Sequence, residues 1–273
     1  MYYILRKFLK KTFLFSILRT PFRLIRDPIF FYLNFKFTYI NKNITLATCS
    51  KNSISYYFPY KNFNSVDYYQ MFLLKQGYHL FFQKQYSNKN CKVEKGDFVI
   101  DCGGFVGGFS VAASKMGAKK IFYIEPTPTT FECAKLNFNL YGIENINSFN
   151  FGLGHVNKKI KFNLSKSGAD NSILDPDEGA TGETIFINIK KIDDFAKVLD
   201  INPSKTFLKV EAEGFEIEIL NGMKNFLPNK IVVDISPERN GKSPYKEVLK
   251  ILLKKGYKII EVNKICLFAK RIT

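Results

Sequence analysis

The stretch FVIDCGGFVGGFS, Phe98–Ser110, decides the reading of this chain. Phe98 to Asp101 is a short apolar run closed by an acid, the pattern of a buried strand whose carboxyl end faces a ligand site. Gly103, Gly104, Gly107 and Gly108 follow directly. Glycine permits a sharp turn after the strand and lets a helix start close to it. Phe109 to Met116 then predicts a helix, with Gly117 as its stop.

Working outward, strand and helix patterns alternate. IFYIEP (121–126) predicts a second strand, Thr130 to Leu140 a helix ended by Gly142, and INSFNFGL (146–153) a third strand. Residues 160–165 and 184–190 predict an extra hairpin around a polar loop, and Asp193 to Leu199 a helix. FLKVEAEG (207–214) predicts a fourth strand and turn, followed by a helix over Glu216 to Phe226. A fifth strand over 230–236, a helix over Pro244 to Lys255 and a hairpin over 257–263 and 264–270 complete the chain, with an antiparallel edge strand. Apolar strands alternating with helices predict an α/β fold with a mostly parallel sheet covered on both faces.

Before Gly96 the rhythm differs. Residues 44–60 predict short strands, and 65–86 a helix with Tyr68, Met71, Phe72 and Leu74 on one side. Three parts follow: a basic amphipathic segment over 1–40, an accessory strand and helix region over 41–95, and the main domain over 96–273. The net charge of +17 is uneven. Residues 1–95 carry 16 Lys/Arg against 3 Asp/Glu, and residues 96–273 carry 25 against 21. An anionic partner for the first part is expected. Its uncharged runs near the start, such as Thr12 to Leu18, are far shorter than the ~20 residues of a spanning helix. Two readings stand: a segment lying in an anionic membrane interface, or a helix packing its Phe/Leu face on the main domain. The expected location is cytoplasmic, peripheral on a membrane under the first reading. Five cysteines without a CxxC pair predict neither a disulfide framework nor a zinc site, and two histidines cannot build a His-rich metal centre. No metal is expected; Asp175, Asp177 and Glu178 give only a weak divalent-ion signal.

Three features carry chemistry. The loop spacing is DxGxxxG, from Asp101 through Gly103 to Gly107, which departs from the GxGxxG that seats a pyrophosphate on a helix N-terminus. Glu125 ends the second strand, where an acid can accept both ribose hydroxyls of a nucleoside. S-adenosylmethionine has no phosphate and carries a positive sulfonium, so Asp101 with Glu125 suits it better than NAD. The alternative is that Glu125 caps the following helix. Third, Lys209 and Glu211 alternate in a strand buried on both faces, which is costly unless they are paired or used. Glu213 follows in the turn and Gly214 permits it, whereas Glu216 and Glu218 read as helix-surface residues. A structural Lys209–Glu211 pair is the alternative.

From Gly96 to Phe268 the sequence resembles the FkbM family of S-adenosylmethionine-dependent methyltransferases. The resemblance rests on VIDCGGFVGGFS, YIEPTPTTFECAKLNFNL, NFGLG, IKKIDDF and LKVEAEGFEIEILNG, in that order. It implies a Rossmann-like methyltransferase fold and O-methylation of a sugar or polyketide hydroxyl. It implies that Asp101, Gly103, Gly104 and Gly107 form the cofactor loop and that Glu125 holds the ribose. Lys209, Glu211, Glu213 and Gly214 fall on the family's KxDxEG stretch. The chain departs from the pattern in Gly103-Gly104-Phe105, where GAN is common, in Glu211 for Asp, and in His155 after NFGLG, where an acid is frequent.

Methyl transfer to a hydroxyl needs orientation and a base. Glu211, Glu213 and His155 are the candidates, Glu211 best placed and His155 reading more readily as a plain surface histidine, with Lys209 holding Glu211 charged or binding an acceptor oxygen. In the polar loop Ser165–Thr184, Asn171 and Ser172 are the candidate acceptor contacts, against the reading of a solvated loop. The expected function is O-methylation of a sugar, glycolipid or polysaccharide precursor. The alternatives are a nucleic-acid methyltransferase, disfavoured because no [DNS]PP[YF] follows the fourth strand, and a non-catalytic membrane-associated binding module.

Overall fold

The computed structural model describes residues 33–272, except Asp175, Asp177 and Glu178. Most of the basic segment and the three acids of the weak metal signal therefore lie outside the described residues.

Four central strands set the frame: β4 (Phe98–Cys102), β5 (Lys120–Ile124), β10 (Thr206–Val210) and β11 (Lys230–Asp234). Their residues are almost all buried, as a strand covered on both faces requires. With β6 (Ile146–Phe149), β12 (Tyr257–Val262) and β13 (Cys266–Arg271) they form one sheet in the order β12-β13-β11-β10-β4-β5-β6. Pairings β10–β11, β10–β4, β4–β5 and β5–β6 are parallel, and β13 is antiparallel to both neighbours. The expected α/β fold with a mostly parallel sheet and an antiparallel C-terminal hairpin is what forms. The antiparallel strand is not the edge, however. Apolar CLFA of β13 inserts beside β11, and β12, with Lys258 and Glu261, takes the solvated edge.

Side chains alternate across the sheet. Ile100, Leu208, Ile231 and Leu267 pack on α4 (Ile192–Val198), α5 (Glu216–Gly222) and α6 (Tyr245–Lys254). Val99, Phe207, Val232 and Phe268 pack on the opposite side with Phe109 of α2 (Gly108–Lys115) and with Tyr86, which caps α1 (Tyr68–Gln85). The same side carries α3 (Pro128–Leu140) through Ala134 and Phe138 against Tyr123.

The accessory region is a three-stranded antiparallel sheet, β1 (Phe35–Tyr39), β2 (Thr45–Cys49) and β3 (Ser55–Phe58), followed by α1. Its first strand draws on the last residues of the segment 1–40. Helix α1 breaks at Gly77, whose φ of 89° suits a residue without a Cβ. Met71 and Leu74 face the core, whereas Phe72 of the same expected stripe is half exposed. Asn137 on α3, fully buried, joins the two parts: its carbonyl accepts from Tyr57 N at 2.7 Å, and its amide donates to Tyr57 O at 3.0 Å and Val106 O at 2.9 Å.

Two further sequence expectations change. The run 146–153 is two strands in two sheets: β6 stays in the main sheet, and β7 (Gly152–Gly154) pairs parallel with β9 (Ala180–Lys191), itself hairpinned to β8 (Lys158–Ser165). Asn150 makes the break, its amide donating to the carbonyls of Glu125 and Pro126. Helix α5 stops at Gly222 rather than Phe226, because the Asp193 carboxylate captures the N–H groups of Lys224, Asn225 and Phe226 at 3.0–3.1 Å.

Candidate active site

Strand order reverses between β4 and β10: the chain goes from β4 to β5 and β6 on one side and from β10 to β11 on the other. Open α/β sheets hold ligands at such a point, at the strands' carboxyl ends. Asp101 and Lys209 are register partners across this boundary.

Lys209 is 1% exposed. Its ammonium lies 3.1 Å from Asp101 Oδ1 and 2.8 Å from Glu211 Oε2, and donates to Gly103 O at 2.6 Å. The other Asp101 oxygen accepts from the Ser110 hydroxyl at 2.7 Å. Burial alone would lower the Lys209 ammonium, but the flanking Asp101 and Glu211 carboxylates outweigh it and hold it above its usual range. The sequence puzzle of a lysine in a buried strand is thus resolved by two carboxylates. Glu211 keeps about a quarter of its side chain in solvent.

The glycine loop is shaped by its surroundings. Gly103 has φ 71°, and a Cβ there would come within 1.6 Å of Glu211 O, so loop and strand β10 touch backbone to backbone. A Cβ at Gly104 would strike the Tyr123 ring and lie 3.2 Å from Asp101 Oδ2. Gly107, φ 84°, abuts Phe138. Phe105 sits in the left-handed region at φ 46°; its carbonyl accepts from the Tyr123 hydroxyl and its N–H donates to Glu125 Oε2 at 3.2 Å.

Glu125 is 7% exposed, and its second oxygen accepts from Thr127 N at 2.9 Å. Burial pushes its carboxyl up to about 7 despite these two N–H donors. Glu216, read as a surface residue, is in fact 1% exposed and closes the turn after β10, accepting from Ala212 N at 2.7 Å and Gly214 N at 3.3 Å. Burial raises it to about 7, and raises Asp234 at the end of β11 to about 8. Glu213, at φ 48°, is pushed well up by burial and then by Glu238, Asp170, Glu211 and Glu216 around it. Glu218 does not join this group; it grips the Arg239 guanidinium through both oxygens at 2.8 and 3.0 Å.

Asp101, Gly103, Gly104, Lys209 and Glu211 therefore meet in one network, with Glu125 tied to it through Phe105. Asn171 and Ser172 border the site, but their polar atoms are engaged within the chain. Asn171 bonds Ser165 N at 2.7 Å and Thr127 Oγ1 at 3.1 Å, and the Ser172 hydroxyl donates to Glu213 O at 2.7 Å. His155 is exposed beside Gly222 at the far end of α5, about 9 Å along the helix from Glu216. Among the described residues no His/Cys/Asp/Glu group could hold a metal ion, and no helix is long and apolar enough to cross a membrane.

Sequence reasoning missed Tyr86. It is fully buried, its ring lies 5.3 Å from the Lys209 ammonium, and its hydroxyl accepts from Gln85 Nε2 at 2.8 Å and bonds the Glu211 carboxylate. Beside it, Tyr78 and Phe82 line a cleft of about 20 Å3 against Phe105, Lys209 and Glu211, space for about one water. Nothing in the sequence of the accessory region marks these aromatics, since only the docking of α1 brings them to β10. Ser110, three residues past Gly107, was the more legible omission.

Comparison with known proteins sets these residues in a family. Methyltransferase 1 of Beauveria bassiana (strain ARSEF 2860) is 22% identical over 183 residues, covering 59% of this chain and 72% of the relative. The crystal structure of methyltransferase FkbM from Methylobacillus flagellatus KT is 16% identical, with a TM-score of 0.46 over 75% of this chain; the match spans only 55% of that protein. The M. jannaschii TYW2 in complex with AdoMet is 13% identical, with a TM-score of 0.43 over 87% of this chain and 90% of that one. A profile of the methyltransferase FkbM domain matches residues 101–259, from the aspartate that opens the glycine loop to the closing hairpin. With more than half of its length inside that match, the chain belongs to the FkbM methyltransferase family.

Proposed function

We propose that this methyltransferase uses S-adenosylmethionine to O-methylate a hydroxyl of a sugar, glycolipid or polysaccharide precursor. The observation that carries the cofactor reading is the sign of the charge at the carboxyl ends of the strands. In a chain of net charge +17, the groups gathered there are Asp101, Glu125, Glu211, Glu213, Glu216 and Asp234 around Lys209. Four of them, Glu125, Glu213, Glu216 and Asp234, are raised by burial and so stand wholly or partly protonated at pH 7; a cationic sulfonium would favour their ionised forms, whereas a phosphate would oppose them. The residues also fit the nucleoside: the Phe105 N–H and Thr127, through its N–H and its hydroxyl, bond the Glu125 carboxyl and leave acceptor capacity for a ribose hydroxyl. Asp101, Gly103, Gly104 and Gly107 would hold the amino-acid end beside Lys209.

When bound, the cofactor supplies a methyl group activated on sulfur. The chain's task is to orient an acceptor and take its proton. Glu211 is the acid suited to that step, because it is partly solvent-accessible and is held in place by the Lys209 ammonium at 2.8 Å. Glu213 is raised among carboxylates and suits holding the acceptor hydroxyl rather than deprotonating it. Asn171 and Ser172 would act by fixing Thr127 and the 213 turn. The same acidic field argues against a polyanionic nucleic-acid acceptor.

Calorimetric titration with S-adenosylmethionine, its demethylated product and NAD tests the cofactor. Micromolar binding of the first two, lost in Glu125→Ala, supports it; NAD binding, or unchanged affinity in the variant, refutes it. Transfer of labelled methyl to saccharide or glycolipid acceptors, as a base-stable ether, tests the O-methyl step against tRNA and DNA acceptors. Flotation of the chain with anionic liposomes, with and without residues 1–40, tests the membrane partner.

A further inference from the structure

A second cleft, away from the Asp101–Lys209–Glu211 network and sharing no residue with it, encloses about 510 Å3. That is the size of a site for a small organic ligand. Its floor is aromatic. Phe149, the last residue of edge strand β6, meets Phe195 of α4 edge-to-face at 5.2 Å, and Phe151 packs against them at 5.6 and 5.7 Å. Its wall is apolar and open: Val198, at the end of α4, is 83% exposed although it lines the cleft.

The rim is basic. Lys158 of β8 and Lys190 of β9 both line the cleft. Lys190 lies 4.5 Å over the Phe151 ring. Among the described residues neither ammonium has a carboxylate within salt-bridge distance. The acid on the rim, Asp194, is already engaged, accepting from the Asn157 amide at 2.8 Å and lying 4.0 Å from Lys191.

Aromatic floor, exposed aliphatic wall and two uncompensated cations are the three parts of a site for one kind of molecule. Water covers apolar surface poorly, so an apolar body gains by filling the cleft. A neutral amphiphile would leave the two lysines without a counter-ion, and a small anion would leave the phenyl rings wet. We propose that this cleft binds an anionic amphiphile, an alkyl or isoprenoid chain ending in a phosphate, with the chain on Phe149, Phe151, Phe195 and Val198 and the phosphate at Lys158 and Lys190. Its setting is suggestive: Glu125 donates its backbone N–H to Phe149 O at 3.1 Å, so the cleft lies one strand from the acid assigned to the ribose. The proposal stands independently of methyl transfer, since none of its residues takes part in that reading.

The test is a titration of the full chain with hexyl, octyl and decyl phosphate below their micellar concentrations, alongside octyl glucoside and inorganic phosphate. Saturable one-to-one binding is expected, tightening about fourfold for each added methylene until the cleft is full. Octyl glucoside and inorganic phosphate should each bind at least tenfold more weakly than octyl phosphate. Lys190→Glu and Val198→Asp alter exposed positions and should melt as the parent does, yet each should weaken octyl phosphate at least tenfold. Equal binding of octyl glucoside, affinity independent of chain length, or variants that bind like the parent would each overturn the assignment. Unchanged S-adenosylmethionine affinity in both variants keeps this result separate from the cofactor reading.

Discussion

Replacing Lys209 by methionine tests the network at the sheet reversal. The substitution keeps chain length and apolar stem and removes only the ammonium. Asp101, 0% exposed, then faces the Ser110 hydroxyl alone. Glu211, partly in solvent, loses its 2.8 Å partner. Removing one member of a buried ion pair costs about 3–5 kcal/mol, because the charge left behind has no water. The Asp101 side of the pair sets that figure, since Glu211 can recover hydration. For a domain of this size each kcal/mol moves Tm by roughly 2–4 °C, so Lys209→Met should melt roughly 6–20 °C below the parent at pH 7. Asp101→Asn in the same chain removes the orphaned charge and should restore about half of the loss, a coupling of at least about 1 kcal/mol in the double-mutant cycle. The pH dependence has a definite sign. The ammonium of Lys209 is held above 10.5, so its contribution is fully present at neutral pH and is lost only as pH rises through the folded value. Melting curves by circular dichroism at pH 7 are sufficient. A variant that melts within 2 °C of the parent, or strictly additive single and double variants, would refute the reasoning.

Glu125, Glu216 and Asp234 are all raised by burial, to about 7, 7 and 8. Folding then binds protons between their ordinary carboxylate range and these values, so stability should fall as pH rises from about 4.5 to 8, with Glu216→Gln flattening the slope of Tm against pH. Asn137→Ala leaves Tyr57 N–H, Tyr57 O and Val106 O without their side-chain partner; a loss of about 1–3 kcal/mol is expected, read as faster amide exchange at Tyr57. Gly103→Ala should prevent stable folding or destroy cofactor binding, since its Cβ would overlap Glu211 O, whereas Gly142→Ala, with nothing within 4 Å and only its φ of 62° to strain, should cost about 1 kcal/mol on the same melting assay.

The main domain was legible because its signals are local. VIDCGG and KIVVD are apolar runs too continuous for a half-solvated strand, and the glycines after Asp101 sit where the chain must turn. Asp101, Glu125, Lys209 and Glu211 stood out as charges where burial was expected. Breaks imposed from a distance were not legible. Asn150 divides one apparent strand between two sheets, and Asp193 ends α5 early by reaching across to the N–H groups after it. Glu216 looked like a helix-surface acid because sequence spacing does not reveal that the turn folds back over it.

By itself, the sequence determined the α/β order, the glycine loop and the acids at the strand ends, because hydrophobic period and turn chemistry act over a few residues. The Lys209–Glu211 pair was a reading of the sequence, but tertiary structure alone decided that Asp101 joins it. Lys209 lies over a hundred positions from Asp101, and only the parallel register of β4 and β10 makes them neighbours. Tyr86 enters the site only because α1 docks closely over Gly108, where a Cβ would collide with Tyr78 and Phe82. Both depend on packing between segments distant in sequence, a property that no short window of the chain contains.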